Sequence, residues 1–140
     1  MEMRGYEAAD QAACLELFDS NMPEYFSGGE REAFAEWLAA PRGSYWVAEH
    51  EGELAGCGGI VLEHASLASV TWLMVAGRLR GQGLGRYMLF YLLKGLPAAV
   101  THVRLSTVAP VSGFFEKQGF RVQGEGPEGV EMVKKLQVCS

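Results

Sequence analysis

The stretch that most constrains how this chain can fold is Ser69 to Lys94, SVTWLMVAGRLRGQGLGRYMLFYLLK, where an apolar run meets a basic glycine-rich turn and then an amphipathic segment. Ser69 to Val75 is dominated by β-branched and aromatic residues, which predicts a buried strand. From about Gly83, apolar residues at Leu84, Met88, Leu89, Tyr91, Leu92 and Leu93 fall on one broad helical stripe, and Gly95 with Pro97 ends it. Between strand and helix lies Arg80-Gly81-Gln82-Gly83-Leu84-Gly85. The first amides of a helix have no intrahelical acceptor. With three side chains missing and arginines at 78, 80 and 86, a diphosphate can rest on those amides at the positive end of the helix dipole. A nucleotide-type cofactor is therefore the first expectation.

Spacing narrows the choice of cofactor. A dinucleotide fingerprint needs G-x-G-x-x-G, but from Gly81 and Gly83 the third position falls on Arg86. About 20 residues further on, where an acid should meet the ribose, the chain reads His102, Val103, Arg104. The triphosphate loop G-x-x-x-x-G-K-[ST] is absent too. The pattern that fits is R-x-x-G-x-G, written Arg80, Gly83, Gly85.

That motif resembles the acyl-coenzyme A binding motif of the GCN5-related N-acetyltransferase (GNAT) family. The strand before it, the strand His102 to Val108 after it, and Gly113-Phe114-Phe115-Glu116-Lys117-Gln118-Gly119-Phe120, similar to the signature "fYeklGF", follow in the family's order. Met3-Arg4-Gly5-Tyr6 with Asp10 resembles the family's first strand and helix, so the likeness spans essentially all 140 residues. It implies acetyl-CoA as cosubstrate, held by Arg80, Gly81, Gln82, Gly83, Leu84, Gly85 and Arg86, with Phe115 and Lys117 against it. It further implies that the central strand and the next one splay to admit the acyl arm, with backbone N–H groups at Met74 and Val75 facing the developing oxyanion. The acceptor would be a primary amine of a small molecule or peptide, attacking the thioester directly. The wall beside it would be Asp19 to Glu32, where Glu24, Tyr25 and Phe26 suit a cation.

The catalytic groups depart from the family's pattern. The tyrosine that commonly protonates the leaving thiolate is Phe115 here, the asparagine often found seven residues earlier is Val108, and the proline before the phosphate motif is Gly77. Ser69, Thr71 and Leu73 occupy the positions where some members carry a glutamate base. Glu63, His64 and Glu24 are the nearest substitutes as base, and Ser112 or water as proton donor. A thiol pKa of ~8.5 makes the thiolate a tolerable leaving group without help. A second reading, a noncatalytic acyl-CoA binding or sensing domain, stays open on the missing hydroxyl.

Charge distribution adds to this. The net charge is -5, which argues against general nucleic-acid binding. Residues 1 to 64 carry 3 Lys+Arg and 13 Asp+Glu, residues 65 to 115 carry 5 and none, and residues 116 to 140 carry 4 of each. A block free of carboxylates thus surrounds the phosphate cradle, while the acidic first half favours cationic or neutral acceptors. No run of 18 apolar residues or basic leader occurs, so a cytoplasmic location and no membrane partner are expected. Cys14, Cys57 and Cys139 show no C-x-x-C pairing and read as reduced thiols, and no metal site is expected. Length predicts one domain over residues 1–140, with a homodimer left open.

The rest of the chain reads as follows. Met3 to Tyr6 is a strand, and Asp10 to Phe18 a helix broken at Asp19-Ser20-Asn21-Met22-Pro23. Glu30 to Ala39 is a helix. Tyr45 to His50 and Glu53 to Glu63 form a hairpin about Glu51-Gly52, its second strand loosened by Gly56, Gly58 and Gly59. Ser112 to Gln118 is a short helix, and Phe120 to Glu125 with Val130 to Leu136 a closing hairpin. The predicted fold is α/β, a mixed, largely antiparallel sheet with flanking helices in the order β α α β β β α β α β β.

Overall fold

The structure, a computed structural model, describes residues 2–21, 29–79, 81–126 and 129–136. Its elements are β1 (Glu2–Gly5), α1 (Gln11–Asn21), α2 (Glu30–Ala39), β2 (Ser44–His50), β3 (Glu53–His64), β4 (Leu67–Val75), α3 (Leu84–Lys94), β5 (His102–Thr107), α4 (Ala109–Lys117), β6 (Arg121–Gly126) and β7 (Gly129–Lys135). The element order is the one expected. One seven-stranded sheet runs β1-β2-β3-β4-β5-β7-β6, antiparallel at every seam except β4–β5.

Alternation along the strands sends side chains to two separate cores. On one face Val47, Cys57 and Met74 pack under α1 and α2 with Cys14, Phe18, Phe34 and Leu38. On the other, Ala68, Val70, Val103, Leu105 and Met132 pack with Leu89 and Leu92 of α3 and with Phe115 and Phe120. The stripe read on α3 is therefore its buried face. Phe90 is 66% exposed on the opposite side. Among the described residues no helix is long and apolar enough to cross a membrane.

Two local expectations need correction. First, α1 does not stop at Asp19 but continues through Asn21. Asn21 is buried, and its Nδ2 donates to Leu17 O at 2.7 Å and across 54 positions to Val75 O at 3.2 Å, so a tertiary bond overrides the local turn preference. Second, the glycines of β3 do not loosen it. A Cβ on Gly56 would lie 2.5 Å from Met88 Sδ, one on Gly58 2.7 Å from Leu73 Cδ1, and one on Gly59 2.6 Å from the Tyr45 ring. They are the places where neighbours approach the backbone too closely for any side chain. The hairpin about Glu51-Gly52 is as read, with φ of 54° and 81° at its two central residues, a twist that matches the flanking strands.

The start of the chain is tied down by charge. Arg4 donates to both carboxylate oxygens of Asp10 at 2.8 Å and to Glu49 at 2.8 Å, and Asp10 also accepts the Glu7 amide at 2.8 Å. The Arg4 hydrogen bonds hold the Asp10 carboxyl below its ordinary value of 3.8, against the opposing effect of burial. Its contribution is complete above that ordinary value and is lost as pH falls through the depressed folded value. Asp10→Asn is expected to lower stability by about 1 kcal/mol at neutral pH, partial exposure of Arg4 keeping the figure small. Urea unfolding checks this, and the gap from the wild type should close in acid.

Candidate active site

The seam between β4 and β5 positions the site. Its parallel pairing covers Leu67↔His102, Ala68↔Val103 and Ser69↔Arg104 and then ends, although β4 runs on to Val75 and β5 to Thr107. Beyond Ser69 the strands part. On its other side β4 bulges against β3, where three steps from Thr71 to Met74 oppose two from Gly59 to Cys57. Trp72, at φ 46°, sits in that bulge; its carbonyl accepts the Tyr45 hydroxyl at 2.8 Å and its ring lies 4.9 Å from Phe34. Burial pushes the Tyr45 hydroxyl pKa well up, so it stays a donor.

The parted strands open a cleft of about 1010 Å³. Of the residues expected around the cofactor, Met74, Val75, Gly81, Gly83, Leu84, Gly85, Arg86 and Phe115 line it; Gln82 and Lys117 do not. Ala76 N–H bonds Ala55 O on the β3 side at 2.8 Å. By alternation the Met74 amide also points towards β3, while that of Val75 points into the gap, on the side from which Asn21 reaches the Val75 carbonyl. The expected pair of amides thus reduces to Val75.

The cradle takes its shape from backbone conformation. Gly81 and Gly83 sit at φ 80° and 81°, left-handed values that glycine adopts freely, and Gly83 is the residue before the first turn of α3. Among the described residues nothing lies within 4 Å of a Cβ at either, so both open outward at the N-terminus of α3. Gly85 differs: its Cβ would meet the Phe114 ring at 3.3 Å and Val75 at 3.7 Å, so there the missing side chain lets the helix close on its neighbours. Uncovered amides, a helix dipole and Arg86 at the cleft fit a diphosphate. Arg78 belongs elsewhere, ion-paired with Glu53 at 3.0 Å. Arg80 lies outside the described residues.

The other wall of the cleft is polar. Glu63 accepts the Ser69 hydroxyl at 2.9 Å, Ser69 accepts Arg104 Nε at 3.1 Å, and the Arg104 guanidinium lies 3.7 Å from Glu63 and 4.0 Å from Glu131. This network ties β3, β4, β5 and β7 together where the strands begin to part. Glu30, at the start of α2, and Asn21 also line the cleft. Sequence reading singled out Glu63 but missed Arg104, Glu30 and Glu131 as site residues. Alternation held a signal: Val103 and Leu105 are apolar around Arg104, as Val130 and Met132 are around Glu131. Ser112 is not among the lining residues, and Glu24, Tyr25 and Phe26 lie outside the described ones. Thr71 Oγ1 is buried at the cleft without a hydrogen-bond partner among the described residues. Cys14 and Cys57 are fully buried, and burial pushes the Cys57 thiol pKa up, so neither offers an accessible thiolate; Cys139 lies outside the described residues.

No curated protein matches the sequence. Solved structures do match its fold. A Mycobacterium tuberculosis protein in complex with CoA superposes with TM-score 0.76 at 18% identity, covering 98% of this chain and 100% of that one. An aminoglycoside 6'-N-acetyltransferase complexed with coenzyme A gives 0.78 at 16% identity, over 96% and 97%. N-acetylglutamate synthase from Neisseria gonorrhoeae, with coenzyme A and N-acetyl-glutamate, gives 0.78 at 16% identity, over 97% of this chain but 35% of that one. Likeness at these identities shows the fold. The family itself is shown by sequence: residues 12–120, from α1 through the strand-splay and cradle to the turn after α4, match the acetyltransferase (GNAT) family, to which this chain belongs.

Proposed function

We propose that the protein is an acetyl-CoA dependent N-acetyltransferase that acetylates a primary amine of a small molecule or peptide by direct attack. The observation that carries this reading is the parting of β4 and β5 after Ser69 with an open, doubly left-handed glycine turn at the cleft. Bound acetyl-CoA supplies an activated acetyl thioester; the rest is the work of this chain. Gly81, Gly83 and the first amides of α3, with Arg86, hold the diphosphate; Gln82 lies between the two glycines, and Arg80 precedes them in the sequence motif. Phe115, buried and edge-on to Phe114 at 5.1 Å, walls the cleft. The Val75 amide faces the gap, where it can stabilise charge developing on the carbonyl oxygen.

An amine with a free pKa of ~10 must lose a proton before it attacks. Glu63 is the base of this reading, acting directly or through water; its side chain is 27% exposed and its carboxylate accepts the Ser69 hydroxyl. Among the described residues the thiols, Cys14 and Cys57, are buried, which favours direct transfer over an acyl-cysteine route through either. Phe115 favours the second reading, a binding or sensing domain, because it lacks the hydroxyl that would protonate the departing thiolate.

An acceptor panel that follows thiol release from acetyl-CoA tests the choice. Turnover with any amine is expected; binding of the coenzyme with no turnover across the panel would leave the sensing domain. In an active enzyme, Phe115→Tyr adds one oxygen at the cleft. It should raise the transfer rate where leaving-group protonation is limiting, by up to about 100-fold. An unchanged rate means that thiolate departs unaided.

A further inference from the structure

In the polar wall of the cleft an arginine stands beside a carboxylate without gripping it. Alternation puts Ser69 and Arg104 on the sheet face away from α3 and α4, since Ala68, Val70, Val103 and Leu105 pack on the other. Glu63 joins them from a bulge in β3, where pairing steps from Leu62↔Ala68 to His64↔Leu67 and leaves Glu63 without a partner on β4. An arginine holds a carboxylate most strongly through two parallel N–H bonds of about 2.8 Å. Here that fork is divided. Arg104 Nε donates to Ser69 Oγ at 3.1 Å, while its Nη2 stops 3.7 Å from Glu63 Oε1, beyond hydrogen-bond reach. A hydroxyl has one proton to give, and with Arg104 donating to its oxygen Ser69 gives that proton to Glu63 Oε1 at 2.9 Å. Glu63 Oε2 takes no hydrogen bond among the described residues. Ser69 is 7% exposed and forms with Arg104 the last pair of the β4–β5 seam, so backbone pairing fixes where its hydroxyl stands.

We propose that Ser69 is a positioning residue whose hydroxyl keeps the Arg104 guanidinium off the Glu63 carboxylate and so leaves Oε2 open to take a proton from the acceptor amine. The proton transfer rests on the acyl-transfer reading with Glu63 as base; the spacing of Arg104 from Glu63 does not. In the step served, an N–H bond of the ammonium breaks, an O–H bond forms at Oε2, and the freed nitrogen lone pair attacks the thioester. A carboxylate gripped on both oxygens by a guanidinium is held in its charged form and is a poorer base. Without the hydroxyl, Arg104 Nε loses its acceptor, and the nearest replacement is Glu63.

Ser69→Ala tests this, with a thermal melt to confirm folding. A crystal structure of the variant should show Arg104 closed on Glu63, with N–O distances of about 2.8 Å. In the acetylation assay kcat should fall about tenfold while KM stays within about twofold, because the loss is in proton transfer and not in binding the amine. Ser69→Ala/Arg104→Gln takes the guanidinium away as well and should recover most of the lost kcat. A merely structural role for Ser69 predicts the opposite, since a second lesion beside the first makes matters worse. Glu63→Gln reports on the base separately and should be slow whatever stands at position 69. An Arg104 that stays off Glu63 in Ser69→Ala, an unchanged kcat, or a double variant no faster than the single one would overturn the proposal and leave the transferase reading intact. Arg104 closing on Glu63 in a protein that acetylates no amine would remove the transferase reading and leave the spacing role of Ser69 standing.

Discussion

Gly83→Asp is expected to weaken coenzyme binding at least tenfold, about 1.4 kcal/mol or more, while the protein still folds. A Cβ at Gly83 meets nothing within 4 Å among the described residues, so there is room for the side chain, and the left-handed φ of 81° costs a non-glycine residue about 1 kcal/mol, less for Asp. The loss in affinity comes from what the carboxylate does outside the fold. It occupies the open space before the first turn of α3 and puts negative charge where a diphosphate would meet the helix amides. Gly83→Ala separates the two effects by adding the backbone strain without the charge, and should lose much less affinity. Calorimetric titration with coenzyme A decides it, with a thermal melt to confirm folding. Unchanged affinity in the Asp variant would put the diphosphate elsewhere.

Gly59→Ala is expected to cost about 2–3 kcal/mol of stability, the larger range for overpacking, because the neighbours cannot retreat. The added methyl would lie 2.6 Å from the Tyr45 ring and 2.7 Å from the Ser44 carbonyl, with Thr71 Oγ1 at 3.2 Å. Tyr45 is held from the other end: its hydroxyl donates to Trp72 O at 2.8 Å, and its ring packs edge-on against Trp37 at 4.8 Å and Tyr6 at 5.7 Å. Pushing the ring therefore pushes the bulge of β4 as well. A domain of this size should melt roughly 8 °C lower. Gly124→Ala, in exposed β6 with nothing within 4 Å of the new Cβ, is the control that should melt near the wild type. A Gly59 variant as stable as that control would show that β2 and β3 separate more easily than their packing indicates.

The strand-turn-helix at Ser69–Lys94 was legible because each part is local. Apolar runs, the stripe of α3 and alternating glycines need no knowledge of the partner. The parallel seam with β5 and its early end were legible only through family resemblance, since no residue between Ser69 and Val75 announces that pairing stops. The β3 glycines were misread because their meaning lies in Met88, Leu73 and Tyr45, distant in sequence and close in space. Asn21 was misread for a similar reason, its partner being Val75 O. The polar wall of the cleft was the least legible, because Glu63, Arg104 and Glu131 come together only through the order in which β3, β4, β5 and β7 are laid side by side.

The seam between β4 and β5 has three residue pairs, and it is where the β1–β4 half of the sheet meets the β5–β7–β6 half. A molecule lodged in the gap touches both halves and does part of the job of the missing pairs. Folding and loading are then one equilibrium: at a free ligand concentration a hundred times its dissociation constant, occupancy adds ~2.7 kcal/mol to stability. That is a large share of what holds a chain of this size together. Resistance to proteolysis, and with it the lifetime of the protein, would rise and fall with the supply of its own coenzyme.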